Sequence, residues 1–307
     1  MCGIVGLHLR NPQLYPRLGE LLTGMLCEMQ DRGADSAGIA VYGNEVWSPK
    51  GQGTISLIDI EVPADVVAAA LAAEVGAEIA VTVVDNALMA SGAVGSGALL
   101  AAAKKLYPHV LVGGFGEDLA VLKGVGTPKD LAAAWGLDKA TGWQGVGHTR
   151  MATESAVTAS GAHPYAVGPG ECLVHNGSFA NHASIRRDLE AAGVEFDSEN
   201  DTEVGARFVA HQLAGGKDVE TALTDLTETF DGFYTLLVSN RDSFAVVRDA
   251  IACKPAVIAE TDDWVAMASE YRALAHLPGV EYARIWEPEP EVIYAWTRSE
   301  TEEVVPA

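Results

Sequence analysis

Cys2 stands one residue in from the start of the chain. Removal of the initiator methionine would leave a thiol and an α-amine on neighbouring atoms of one residue, a nucleophile with its own base. An α-amine titrates near ~8, so at neutral pH it can take the thiol proton directly or through a water. Position alone also fits a small apolar residue opening a strand. Gly3 leaves the backbone beside Cys2 uncrowded for an approaching substrate. Much later, His175-Asn176-Gly177 follows an apolar run and sets a side-chain amide donor beside a glycine N–H. Those are the two kinds of group that stabilise the oxyanion of an acyl-transfer intermediate, although Asn-Gly is also an ordinary turn signal. Arg150 closes a second apolar run, where its fork could take a carboxylate with two hydrogen bonds or simply be solvated. Asp201 precedes a helical pattern, either as an N-cap or as the partner of a substrate ammonium. An arginine and an aspartate together describe a clamp for an amino acid.

The elements that must position these residues come from a chain of 307 residues, 49% hydrophobic and 20% charged, ample for one large domain or two small ones. Lys and Arg number 20 against 42 Asp and Glu, and the formal net charge of −22 argues against nucleic acid as a partner. No apolar stretch is long enough to span a bilayer, and the opening MCGIVGLHLRNP has no signal-peptide pattern, so a soluble, cytoplasmic protein is expected. Cys27, Cys172 and Cys253 form no C-x-x-C pair and read as small buried thiols. His8, His109, His182, His211 and His276 have no spacing that gathers metal ligands, so no metal site is assigned.

Residues 2–9 read as a buried strand, 18–29 as a helix ending near Arg32-Gly33, and 39–42 with 46–47 as a hairpin about Gly43-Asn44. From about 51 to 116 the chain is rich in Ala and Gly, and helices at 64–75 and 99–106 with strands at 79–84 and 109–112 predict a small α/β insert. Strands follow at 119–125, 146–150, 172–174, 233–239, 244–247, 265–268 and 292–296, with helices at 202–213 and 219–229. Strands clustered around paired helices, without steady βαβ alternation, predict α+β layers. Trp264, Trp286 and Trp296 read as core and edge of the C-terminal β region.

The chain resembles the glutaminase part of class II glutamine amidotransferases, which are N-terminal-nucleophile hydrolases. The resemblance lies in six ordered pieces: Cys2-Gly3-Ile4-Val5-Gly6; the R-G-x-D-S-x-G loop at 32–38; G-H-T-R-x-A-T at 147–153; Ala162-His163-Pro164; His175-Asn176-Gly177; and Asp201-Thr202-Glu203. It implies Cys2 as nucleophile, Asn176 and Gly177 as oxyanion donors, Arg150 on the α-carboxylate and Asp201 on the α-ammonium of the substrate. Arg32, Gly33, Thr149, Thr153, His163 and His175 would be supporting residues. It further implies a four-layer αββα sandwich over 2–307, interrupted by the insert, and hydrolysis of a γ-glutamyl amide through a thioester.

The insert, Lys123-Gly124-Val125-Gly126 and the continuation 154–158 look most like the amidotransferase subunit of N-methylglutamate synthase and its glutamate-synthase-like relatives. That resemblance implies a hetero-oligomer with an FMN-binding subunit and a glycine-rich repeat subunit. FMN and an iron–sulfur cluster would sit on the partners, with no cofactor in this chain. The expected reaction joins methylamine and glutamate to give N-methylglutamate and ammonia; glutamine and γ-N-methylglutamine are both reasonable donors. Two other readings remain open, a free-standing γ-glutamyl amidase and a non-catalytic glutamine-sensing or assembly subunit.

Overall fold

Every residue of Gly3–Leu9 is buried, which an apolar run achieves only in the interior of a sheet covered on both faces. A computed structural model describes residues 2–152 and 156–298 and places this strand, β1, between two antiparallel neighbours. In chain order there follow α1 (Leu18–Glu28), β2 (Ser36–Tyr42), β3 (Gly53–Ile58), α2 (Ala64–Val75), β4 (Ile79–Val84) and β5 (Ala87–Gly92). Next come α3 (Ser96–Leu106), β6 (Leu111–Glu117), β7 (Leu119–Val125), α4 (Pro128–Trp135), β8 (Gln144–Arg150) and β9 (Cys172–Phe179). The remainder is α5 (His182–Ala191), α6 (Asp201–Ala214), α7 (Val219–Thr229), β10 (Gly232–Ser239), β11 (Ser243–Arg248), β12 (Val257–Glu260), β13 (Trp264–Ala268), β14 (Arg284–Trp286) and β15 (Tyr294–Thr297).

A seven-stranded sheet, β14-β12-β13-β1-β8-β2-β7, faces a four-stranded sheet, β15-β11-β10-β9. Period-two alternation divides each strand between two cores. On β1, Val5, Leu7 and Leu9 join α1 and α4 in the outer core, whereas Ile4 joins Val146, Val174, Leu237 and Phe244 between the sheets. On the far side α5, α6 and α7 cover β9, β10 and β11 through Leu173, Leu236, Val238 and Val247. The result is the α+β layering that the strand clustering predicts, in the four-layer αββα form that the family resemblance implies.

Residues 53–117 build a third, four-stranded sheet, β4-β5-β3-β6, covered by α2 and α3 around Ile55, Leu71, Leu88 and Leu99. The order along this stretch is β3, α2, β4, β5, α3, β6, and every strand pair is antiparallel. The strand β5 escapes prediction because Ala, Ser and Gly make up most of it, residues with little preference for a pleated surface, whereas β3, Gly-Thr-Ile-Ser-Leu-Ile, carries strand-forming residues in a stretch too short and Gly-flanked to stand out. One expected element is overturned: no strand forms at 46–47. The Asn44 side chain accepts from the Val46 and Trp47 N–H groups, closing a turn that sends the chain toward the insert. Among the described residues no helix is long and apolar enough to cross a membrane.

Candidate active site

Parity along the strands brings the chemistry to one end of the gap between the sheets. Cys2 has the parity of Ile4, and Asn176 that of Cys172 and Val174, all three of which line the inter-sheet core. Gly3 lies opposite Thr149 at the end of the ladder, so Cys2 and Arg150 are the next residues of their two chains beyond that pair. The Cys2 Sγ stands 4.0 Å from the Met151 carbonyl oxygen. Its backbone is pinned by Arg32, whose Nε donates to the Cys2 carbonyl at 2.9 Å while Nη1 reaches Glu270 at 2.7 Å. Thr149 ties the same end to the helix layer, its hydroxyl donating to the Met29 carbonyl at 3.1 Å. Gly33 packs so closely on the Arg150 carbonyl that a side chain there would collide with it. Arg32, Gly33 and Thr149 thus fix the backbone frame around Cys2 without reaching the gap.

Asn176 is 3% exposed, and its Nδ2 has no hydrogen-bond partner among the described residues. A buried amide donor without an acceptor costs free energy, which sets this group apart from the satisfied amides of the core. Its backbone is fixed in the ladder opposite Thr235. Gly177 has φ +148, and any side chain at that position would strike the Phe233 carbonyl.

Behind this strand lies a histidine cluster. The Thr202 hydroxyl stands 3.0 Å from His163 Nε2 and 2.9 Å from His175 Nδ1. His148 Nε2 is 3.0 Å from the His175 carbonyl, which only accepts, so the hydrogen of His148 is on Nε2. The His148 and His163 rings stack at 4.0 Å. Burial holds all three imidazoles neutral: it pushes His148 down to about 3, His175 down to about 4 and His163 well below the usual value. Neutral and buried, the three rings meet one another and Thr202 through stacking and hydrogen bonds.

Arg150 is buried, and its Nη1 donates to the Ala156 carbonyl at 3.2 Å. Asp201 is the first residue of α6 and not its cap: Asn200 takes that role, accepting from the Thr202 N–H at 2.9 Å. One Asp201 oxygen accepts from the Phe179 N–H at 2.9 Å, joining α6 to the end of the Asn176 strand. Thr153 lies outside the described residues. Motif reading alone missed Thr202 and His148, which sit inside recognised segments, and Glu270, which lies in none of them; all three gain roles only from contacts between segments distant in sequence. Of the remaining thiols, Cys172 is buried, Cys27 is half-buried and Cys253 is exposed. The exposed Cys253 corrects the expectation of a buried thiol; it lies in a surface loop that Asp249 caps through the Ile251 and Ala252 N–H groups. Among the described residues no group of three or more His, Cys, Asp or Glu is placed to hold a metal ion.

The glutamine amidotransferase domain family matches residues 148–276. The glutamine amidotransferase-like protein GlxB of Rhizobium meliloti is 48% identical over 297 residues, covering 96% of this chain and 98% of its own. A putative glutamine amidotransferase of Methanothermobacter thermautotrophicus is 31% identical, covering 88% and 92%. The chain belongs to the class II glutamine amidotransferases. In fold, this amidotransferase is similar to the glutamine phosphoribosylpyrophosphate amidotransferase of B. subtilis, with a TM-score of 0.60 at 18% identity. That likeness covers 98% of this chain and 50% of the larger structure. The amidotransferase segment at 148–276 contains Arg150, His163, His175, Asn176 and Asp201, whereas Cys2, Arg32 and Gly33 lie outside it.

Proposed function

We propose that this chain hydrolyses a γ-glutamyl amide at Cys2 and delivers the released amine to a partner subunit. The observation that carries the reading is the buried, unpartnered Asn176 amide beside Gly177, facing the same inter-sheet gap as Cys2. With Met1 removed, the α-amine of Cys2 takes the thiol proton and the thiolate attacks the γ-carbonyl. The oxyanion is met by Asn176 Nδ2 and the Gly177 N–H, and collapse expels the amine to leave a γ-glutamyl thioester. Water then attacks the thioester and glutamate leaves. Arg150, just beyond the Gly3–Thr149 pair that ends the ladder, would take the substrate carboxylate and Asp201 its ammonium.

The partner we propose is glutamate-synthase-like, with an FMN-binding subunit and a glycine-rich repeat subunit that carry the flavin and the iron–sulfur cluster. The complex would be cytoplasmic and would act as N-methylglutamate synthase, joining methylamine and glutamate to give N-methylglutamate and ammonia. What supports a separate glutaminase chain is the match to GlxB over 98% of that protein's own length. Enclosure in a complex keeps the released amine at high local concentration for the next site.

The test is the intact mass of the purified chain before and after exposure to an electrophilic glutamine analogue, with peptide mapping. Loss of Met1 and one adduct on Cys2 are expected; a retained Met1 without an adduct would overturn the reading. Co-purification with the partner subunits, and formation of N-methylglutamate from methylamine and glutamate by that complex alone, tests the acceptor.

A further inference from the structure

Lys123 is 2% exposed, and no carboxylate lies within ion-pair range of it among the described residues. A buried ammonium without a counter-ion costs free energy, so the groups that compensate it define what it holds. Those groups are the carbonyls of Ala162, at 3.1 Å, and Pro164, at 3.2 Å, one on each side of His163. The Tyr165 ring lies 5.0 Å from the ammonium.

The sheet explains why the lysine meets this turn. Ile4, His148, Gly38 and Lys123 are successive partners across β1, β8, β2 and β7, a row on the inner face. Gly38 leaves a gap in that row, and the His163 carbonyl fills it; a Cβ on Gly38 would come closer than 3.0 Å to that oxygen. The turn therefore sits between His148, which stacks on the His163 ring, and Lys123, which holds the two flanking carbonyls.

From the His163 ring the contacts run on to the oxyanion strand. Thr202 Oγ1 has a single hydrogen for three neighbours: His163 Nε2, His175 Nδ1 and, at 3.4 Å, Asp201 Oδ1. Which nitrogen of His163 carries hydrogen therefore constrains which nitrogen of His175 does. His175 directly precedes Asn176, and Asp201 is the proposed ammonium partner.

We propose that Lys123 is a positioning residue for amide hydrolysis, holding the 162–164 turn so that His163, through the Thr202 hydroxyl, sets His175 and hence Asn176. The inference rests on the amide-hydrolysis reading for its kinetic consequence, but the mechanical link from Lys123 to His175 has a separate readout.

The experiment uses the full chain labelled with 15N-histidine, and the variant Lys123→Met, which keeps the aliphatic stem and removes the donors. Glutamine hydrolysis is measured beside it. The expected result is a change in the imidazole 15N signals of both His163 and His175, assigned by single substitutions. It should accompany a fall in kcat of about 10- to 100-fold, the effect of losing two buried hydrogen bonds, with KM changed less than about threefold. Leu122→Ala, on the opposite face of the same strand, controls for general loosening. Unchanged imidazole signals in Lys123→Met, or an equal kcat loss in Leu122→Ala at matched stability, would overturn the proposal. Should Lys123→Met not fold, Lys123→Gln retains one amide donor and must give an intermediate shift; a wild-type spectrum refutes the link. If the wild-type chain hydrolyses no amide, the functional reading fails, while the imidazole signals still decide whether Lys123 governs His175.

Discussion

Replacing Asn176 with leucine separates the cost of the proposed oxyanion site from its use. Among the described residues the Asn176 Nδ2 is buried without an acceptor, and a donor left so costs about 1–3 kcal/mol relative to a satisfied group. Leucine has nearly the same volume and no donor, so Asn176→Leu removes that cost while the backbone ladder to Thr235 stays intact. Stability should therefore hold or rise by roughly 1 kcal/mol, read as a higher urea midpoint at unchanged slope. Catalysis should move the other way, because losing one oxyanion donor lowers kcat by about 10²–10³-fold, or roughly 3–4 kcal/mol of transition-state stabilisation. KM for glutamine should change little, since the amide meets charge that develops only after attack. Ammonia release, followed with a coupled dehydrogenase, and urea unfolding on the same preparation give both numbers. A variant that keeps kcat within threefold, or loses several kcal/mol of stability, would refute the assignment of Asn176 as a preorganised donor.

Other perturbations read other parts of the site. Gly38→Ala drives a methyl group into the His163 carbonyl and should cost about 1–3 kcal/mol in urea unfolding; an unchanged midpoint would contradict the close packing of that turn. Arg150→Ala should raise KM for glutamine by about 10- to 100-fold with a smaller effect on kcat, and a normal KM would remove it from the carboxylate site. His148, His163 and His175 stay neutral in the fold but protonate in the unfolded chain below about pH 6.5, so the unfolded state binds more protons and stability falls as pH drops from there toward about 4. At pH 5.5 the loss amounts to about 1.4 kcal/mol per histidine, roughly 4 kcal/mol for three, and equal urea midpoints at pH 7.5 and 5.5 would show that these rings are not held neutral.

Regular elements were legible wherever one face of the chain carried a strong period. The helices at Ala64–Val75 and Val219–Thr229 and the strands at Ile79–Val84 and Leu119–Val125 have the bounds that apolar spacing predicts. The helix α5, His182–Ala191, was invisible because only Ile185 and Leu189 are buried on it, too few to set a period. The strand Cys172–Phe179 ran five residues past its predicted end at 174, because polar His175 and Asn176 are buried by the site and not by an apolar core. In the site itself, residue types pointed to Cys2, Asn176, Arg150 and Asp201, but sequence spacing carries no record of which strands become neighbours. Thr202 therefore read as part of a helix start, although its hydroxyl joins two histidines from different segments.

The R-G-x-D-S-x-G loop shows how a motif near the proposed nucleophile can consist of structural parts. Arg32 fixes the Cys2 carbonyl, and Gly33 lets the chain pass against Arg150. Asp35 accepts from the Ala152 N–H at 2.8 Å, its own N–H donates to the Arg150 carbonyl at 3.2 Å, and its carbonyl accepts from the Gly126 N–H at 3.0 Å. Gly38 opens the inner row for His163. None of these groups reaches into the gap between the sheets, yet each sets the place of one that does: Arg32 acts on Cys2, Asp35 on the segment after Arg150, and Gly38 on the turn that leads through Thr202 to His175. A substitution at any of the four would thus change catalysis through geometry, and its signature would be a loss of stability that tracks the loss of rate. Substitution of Asn176, by contrast, should lose rate while stability holds or rises. That difference in sign, measured across the five positions, separates the frame of the site from its chemistry.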